Sequence, residues 1–151
     1  MDEKEWRTCR FTVNGLVHKV QFNQATIDNL FLPFLRRMTK LQQAAKQRIV
    51  VYLAAPPGVG KSTLALMMEK LSLTSDGLVP VQSLALDGFH YDSDYIRKHT
   101  VERDGRQIPM NAVKGCPETF NVEHLLEKLR QIKTMDVRWP IYDRNIHDVV
   151  E

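Results

Sequence analysis

With 151 residues, 43% of them hydrophobic and 26% charged, the chain has the size and balance of an ordinary globular domain and not of a disordered or fibrous one. Its net charge of +3 suits a protein that handles phosphates but is too mild to argue for nucleic acid. Cys9 and Cys116 lie far apart without metal spacing, the charged opening is no signal peptide, and no apolar run reaches the length of a membrane span; a cytoplasmic protein with reduced thiols and no membrane partner is expected.

Arg10 to Val20 reads as a β-hairpin, because Asn14-Gly15 supplies the two positive-φ positions of a type I′ turn. Asn23 is the expected cap of a helix carrying Ile27, Leu30, Phe34, Met38 and Leu41 on one face, with a kink or break at Pro33. Residues 1–47 are thus expected to form a scaffold packed on a core that runs over residues 48–151.

That core opens with Arg48 to Ala54, a short apolar run rich in β-branched residues that predicts a strand buried on both faces. Thr63 to Leu71 predicts a helix, with Leu64, Met67, Met68 and Leu71 at helical spacing. Between them stands Ala55-Pro56-Pro57-Gly58-Val59-Gly60-Lys61-Ser62-Thr63, a phosphate-binding loop in its strand–loop–helix context. Gly58 and Gly60 lack a Cβ, so the backbone can take positive φ and turn N–H groups inward around an anion. The following helix adds its positive dipole end. Lys61 is placed to reach the β- and γ-phosphates and Ser62 to ligate Mg²⁺, with Pro57 to Thr63 as the binding segment for ATP. Ala55 stands where the pattern usually begins with glycine. A plain glycine turn between strand and helix is the bland alternative, but it does not call for Lys-Ser-Thr at its end.

Val81 to Leu86 predicts a second buried strand, ending in Asp87-Gly88-Phe89-His90. Tyr91 to Cys116 is polar and reads as a loop with one short helix from Ser93 to His99. Pro117 to Lys133 predicts a helix with Leu125, Leu126, Leu129 and Ile132 as its stripe, and Trp139 to Asp143 reads as extended. The expected fold class is α/β: a P-loop NTPase with a parallel sheet in a three-layer α/β/α arrangement, preceded by the N-terminal hairpin and helix. Only two core strands are counted, so the sheet is expected to be completed by something else or by further chain.

Asp87 falls at the carboxyl end of a predicted strand, the edge where ligands bind in open α/β sheets. A carboxylate there can join the Mg²⁺ shell or accept a proton from an acceptor hydroxyl. Its alternative role is to cap the Asp-Gly turn.

The ordered motifs Ala55 to Ser62, Asp87-Gly88-Phe89-His90, Lys114-Gly115-Cys116-Pro117-Glu118-Thr119-Phe120 and Trp139-Pro140-Ile141-Tyr142-Asp143-Arg144 with His147-Asp148 resemble the uridine kinase, pantothenate kinase and phosphoribulokinase superfamily. They are most similar to its bacterial-type uncharacterised nucleoside/nucleotide kinases, and the likeness spans about residues 50–150. The resemblance implies ATP and Mg²⁺, with Asp87 as catalytic base. It implies an acceptor pocket that includes His90, Tyr91, Tyr142 and His147, under a loop from Lys114 to Thr119. Asn121 stands where relatives carry Asp. Members of that superfamily continue with a strand ending in Glu-Gly, an arginine-bearing lid and an adenine-binding segment, so this sequence is expected to be the front part of a longer protein.

The reading that results is an ATP-dependent kinase transferring the γ-phosphoryl group to an alcohol hydroxyl of a nucleoside, a pantothenate-like molecule or a sugar. Lys61 and Asp87 are its catalytic residues, Ser62 and Asp87 its metal contacts, and His90, Tyr91, Lys114, Tyr142 and His147 its substrate contacts. A truncated, non-catalytic nucleotide-binding remnant is the rival. A GTPase-type switch ranks below both, because no Asn-Lys-x-Asp motif is present. The basic residues between Arg97 and Lys114 are interleaved with Glu102 and Asp104 and lack an aromatic platform, so no nucleic-acid partner is expected. Assembly as a homo-oligomer stays open.

Overall fold

In the computed structural model, which describes residues 5–150, strands β1 (Trp6–Val13) and β2 (Leu16–Asn23) pair antiparallel from Trp6↔Asn23 to Val13↔Leu16. The Asn14-Gly15 turn joins them with φ of 50° and 82°, the two left-handed residues that match the twist of the strands. The charged opening before Glu5 and the last residue lie outside the described residues. The chain divides into two compact units, Met1–Leu84 and Ala85–Glu151.

In the first unit Asn23 caps the single turn α1 (Gln24–Thr26), its side chain accepting from the Thr26 amide at 3.3 Å. A five-residue π turn, Ile27–Phe31, follows and runs into α2 (Leu32–Ala45), with Pro33 in its first turn. Phe31 and Leu32 keep right-handed helical dihedrals across the junction, so the chain does not break at Pro33, and the switch from π to α turn is where its missing amide is accommodated. The π turn also shifts the apolar stripe away from the predicted one. Ile27, Phe31 and Leu35 are buried, whereas Leu30, Phe34 and Leu41 are exposed. The buried stripe ends on Thr39, whose hydroxyl accepts from the Val79 amide at 3.1 Å.

Helix α3 (Lys61–Thr74) starts two residues earlier than predicted and buries Met67 and Leu71 against Cys9, Ile27, Phe31 and Leu35. The hairpin, α2 and the glycine-loop helix thus share one core. Burying each of its large side chains is worth about 1.5–3 kcal/mol. At the other end of α3 the Glu69 carboxylate accepts from the Ser83 amide at 2.9 Å, and Ser72 Oγ accepts from the Val81 amide at 2.9 Å.

Two predicted strands do not form. Residues 48–54 and 81–86 pair with no strand, and Val51, Tyr52 and Leu53 are exposed. The parallel sheet expected from them is absent among the described residues, which hold three separate two-stranded antiparallel sheets in a mixed α/β chain. A strand buried on both faces needs neighbours on both edges, and these runs have none.

The second unit begins with a 3-10 turn, Asp87–Phe89, followed by α4 (Ser93–Lys98). The hairpin β3 (Thr100–Arg103) and β4 (Arg106–Pro109) turns at Asp104-Gly105, with φ of 52° and 71°, inside what the sequence suggested was loop. Val101 and Met110 bury with Ile96 as its small core. Pro117–Thr119 forms a further 3-10 turn, and α5 (Val122–Gln131) is shorter than predicted, capped by Asn121, which accepts from the His124 amide at 3.0 Å. Strands β5 (Ile141–Asp143) and β6 (Asp148–Val150) close the unit as an antiparallel pair. No helix among the described residues is long and apolar enough to cross a membrane.

Candidate active site

In the first unit the exposed glycine loop runs into α3. Gly58 and Gly60 have φ of 79° and 88°, and a Cβ at either position would meet nothing within 4 Å. Glycine is required there by backbone conformation and not by crowding. Gly60 caps α3, its carbonyl accepting from the Leu64 amide at 2.9 Å. The amides of Lys61, Ser62 and Thr63 then fall in the first helical turn, where N–H groups lack intrahelical partners and favour an anion. Lys61 folds back across the loop and donates from Nζ to the Pro56 carbonyl at 2.8 Å. Pro57 and Val59 complete the loop, and the hydroxyls of Ser62 and Thr63 stand at the start of the helix.

The second unit holds a cavity of about 220 Å³ lined by Asp87, His90, Lys114, Gly115, Tyr142 and Arg144. The backbone that carries Asp87 and His90 is held on several sides. Gly88 is buried against the carbonyl of Pro140, Trp139 Nε1 donates to the Ala85 carbonyl at 2.8 Å, and Phe89 packs edge-on against Trp139 and His124. The Asn121 amide donates to the Phe89 carbonyl at 2.8 Å, and the Tyr91 amide to the Thr119 carbonyl at 3.0 Å. The Asp-Gly-Phe-His segment is thereby fixed to the start of α5.

His90 stacks on Phe120, ring centres 3.8 Å apart, and meets the edge of Tyr142 at 6.2 Å. Burial lowers its pKa below the usual imidazole value; the Thr119 carbonyl and the charge of Asp87 pull it up, and Lys114 adds to the lowering. Lys114 Nζ donates to the Tyr142 hydroxyl at 3.0 Å and stands 5.0 Å from the centre of that ring. Nearby, Arg103 makes a forked ion pair with Glu118, at 2.9 Å to each carboxylate oxygen, which ties β3 to the Pro-Glu-Thr turn.

The cavity brings together four of the expected site residues, Asp87, His90, Lys114 and Tyr142, and leaves two aside. Tyr91 stacks on Tyr95 at 4.3 Å and packs against the Ile96 cluster. His147 takes a left-handed backbone with φ of 55°, is exposed, and offers its carbonyl to Ser93 Oγ at 2.9 Å. Arg144 lines the cavity and was not singled out from the sequence, although it stands inside the Pro-Ile-Tyr-Asp-Arg motif. Among the described residues no group of three or more His, Cys, Asp or Glu is placed to hold a metal ion.

Comparison with known proteins yields no matching family model and no matching solved structure. The chain is 41% identical over 141 residues to the uncharacterized protein YggC of Escherichia coli K12, covering 93% of this chain and 56% of that protein. It is 25% identical to a pantothenate kinase of Mycobacteroides abscessus, covering 99% of this chain and 55% of the kinase. It is 26% identical to one of Streptococcus pneumoniae, covering 89% and 41%. The chain spans about half the length of the curated relatives it matches. The distant pantothenate kinases among them support a kinase-like family.

Proposed function

We propose that the protein is an ATP-dependent small-molecule kinase of the P-loop type, acting on an alcohol hydroxyl. The observation that carries this reading is the glycine loop with two left-handed glycines that opens α3 at Lys61 and Ser62. The pantothenate kinase names among the relatives supply independent support for a phosphoryl transferase and for a hydroxyl acceptor.

In this reading the loop amides and Lys61 take the nucleotide phosphates, and Lys61 exchanges its bond to Pro56 for them. Ser62 would hold Mg²⁺ through its hydroxyl, and the ion would supply charge neutralisation to the phosphates. The cavity around Asp87 receives the acceptor. Asp87 takes the hydroxyl proton as the new O–P bond forms at the γ-phosphorus and the bond to the β–γ bridging oxygen breaks, releasing ADP. Rate comes chiefly from positioning and electrostatics, because no covalent intermediate forms.

The missing parallel sheet among the described residues favours one second reading, a nucleotide-binding protein without turnover. ADP release measured with ATP·Mg²⁺ and a panel of uridine, pantothenate and fructose separates the two. Acceptor-dependent release by the wild type is expected. Asp87→Asn should keep nucleotide affinity and lose turnover by about 10²–10⁴-fold, the range for a lost general base. Equal turnover in Asp87→Asn would remove Asp87 from the mechanism, and nucleotide binding without release for any acceptor would establish the second reading.

A further inference from the structure

A second, smaller cavity of the second unit, of about 60 Å³, is lined by His124, Lys128, Arg138 and Pro140. His124 and Lys128 stand four residues apart in α5 and so share one face of the helix. Arg138 and Pro140 come from the extended segment before β5. No carboxylate lines the cavity, and Glu127, the acid next to Lys128, accepts from Gln131 Nε2 at 3.0 Å. Lys128 by itself has a plain structural reason, since a cation in the last turn of a helix complements the dipole. That reason does not extend to Arg138 and His124 on the same cavity. Two cations on one small cavity repel each other, and an anion between them turns that cost into attraction.

The donors and the volume narrow the occupant. Arg138 offers a planar fork that matches phosphate oxygens, Lys128 a compact ammonium, and His124 a ring N–H. Three donors suit the several oxygens of a phosphoryl group better than the two of a carboxylate. About 60 Å³ has room for a few waters or one such group, and not for a nucleoside. The walls of this cavity also hold the Asp-Gly-Phe-His turn. His124 meets the edge of Phe89 at 5.3 Å, the Pro140 carbonyl lies against Gly88, and Trp139 Nε1 donates to the Ala85 carbonyl at 2.8 Å. An occupant bound by Lys128 and Arg138 together ties α5 to the segment before β5, the two segments between which the turn is fixed. We infer that this cavity binds a phosphoryl-sized oxyanion, inorganic phosphate or the phosphoryl end of a monoester, and that its occupation stiffens the turn carrying Asp87. The kinase reading places no ligand here, so the site stands apart from it. In a phosphoryl transferase it would let phosphate or a phosphorylated product act on the Asp87 turn without entering the acceptor cavity.

Titration of the full chain with inorganic phosphate, followed by NMR at fixed pH and at an ionic strength held constant with sodium chloride, tests it. The His124 ring and Trp139 indole N–H signals should move and saturate. Exchange of the Asn121 amide, which donates to the Phe89 carbonyl, should slow. Lys128→Ala and Arg138→Ala should each weaken the affinity read at His124 by about tenfold or more, the scale of one lost charge-assisted hydrogen bond, and Arg138→Lys should keep most of it. Arg138 is exposed and Lys128 half-buried, so both variants should fold, and their melting temperatures without phosphate check that. The glycine loop of the first unit also attracts phosphate; Lys61→Ala should remove its response and leave that of His124 unchanged. Glycerol 3-phosphate in place of phosphate separates the two sources. Saturation by the ester as well assigns the site to phosphoryl ends, and a response to inorganic phosphate alone assigns it to the free ion; both uphold the oxyanion site. No saturable shift at His124 and Trp139, or the same affinity in Lys128→Ala and Arg138→Ala as in the wild type, overturns it. Saturable binding with unchanged exchange at Asn121 overturns the stiffening of the turn.

Discussion

A Cβ added to Gly88 would stand 2.0 Å from the Pro140 carbonyl oxygen and 2.7 Å from the Ile141 nitrogen, both backbone atoms that cannot swing away. Gly88→Ala must therefore push Asp87 and Phe89 off the segment before β5. We expect it to lower the stability of the second unit by about 3 kcal/mol, at the upper end for overpacking, and to abolish activity. The urea midpoint checks the first effect; an unchanged midpoint would mean that the two segments are not in contact. At this scale the sequence was informative where chemistry is spelled in one stretch. Gly58, Gly60 and Lys61 are legible because the loop, its positive φ and the helix start are consecutive. Thr119 and Arg144 were passed over as individual site residues because their roles depend on partners brought together from distant segments. The buried hydroxyl of Thr119 meets His90 29 positions away, and no local pattern announces that.

Among the elements, the N-terminal hairpin and the cap at Asn23 follow from short-range turn and capping chemistry. The buried stripe does not, since a π turn adds residues to one turn and rotates everything after it. The consequence is a testable contrast between neighbours of equal chemistry. Leu35 is 1% exposed and Leu30 is 61% exposed. Leu35→Ala should cost about 2–5 kcal/mol, and Leu30→Ala should stay within about 0.5 kcal/mol. Denaturant titration of the two variants checks the register; similar losses would restore the straight-helix stripe. The β3–β4 hairpin shows the opposite failure. Its Asp104-Gly105 turn is a strong signal, but Glu102, Arg103, Arg106 and Gln107 around it give no apolar alternation, so the run reads as polar loop. The runs at 48–54 and 81–86 have the composition of buried strands and yet join no strand among the described residues, because strand pairing is a property of neighbours far along the chain.

For the molecule as a whole, three two-stranded sheets cannot supply stability by themselves, since an isolated hairpin is marginal in water. Each unit instead relies on its side-chain core, and in the first unit that core includes Met67 and Leu71 of the glycine-loop helix. A ligand held at the start of α3 is therefore coupled to the helix that closes the core. With ATP·Mg²⁺ at a hundred times its dissociation constant, linkage adds about 2.7 kcal/mol to the folded state. For a unit of this size that corresponds to a rise of about 10–20 °C in the melting temperature. Hydrogen exchange should place the gain on the loop and on α3, while the unpaired amides of Val51, Tyr52 and Leu53 exchange freely in both states. Lys61→Ala should fold with an unchanged melting temperature in the absence of nucleotide, because its side chain makes one exposed hydrogen bond to Pro56. In that variant the ligand-dependent rise should disappear along with ATP-dependent phosphorylation. A Lys61→Ala protein stabilised by ATP·Mg²⁺ as strongly as the wild type would show that the nucleotide binds elsewhere, and the kinase reading would fall with the loop that carries it.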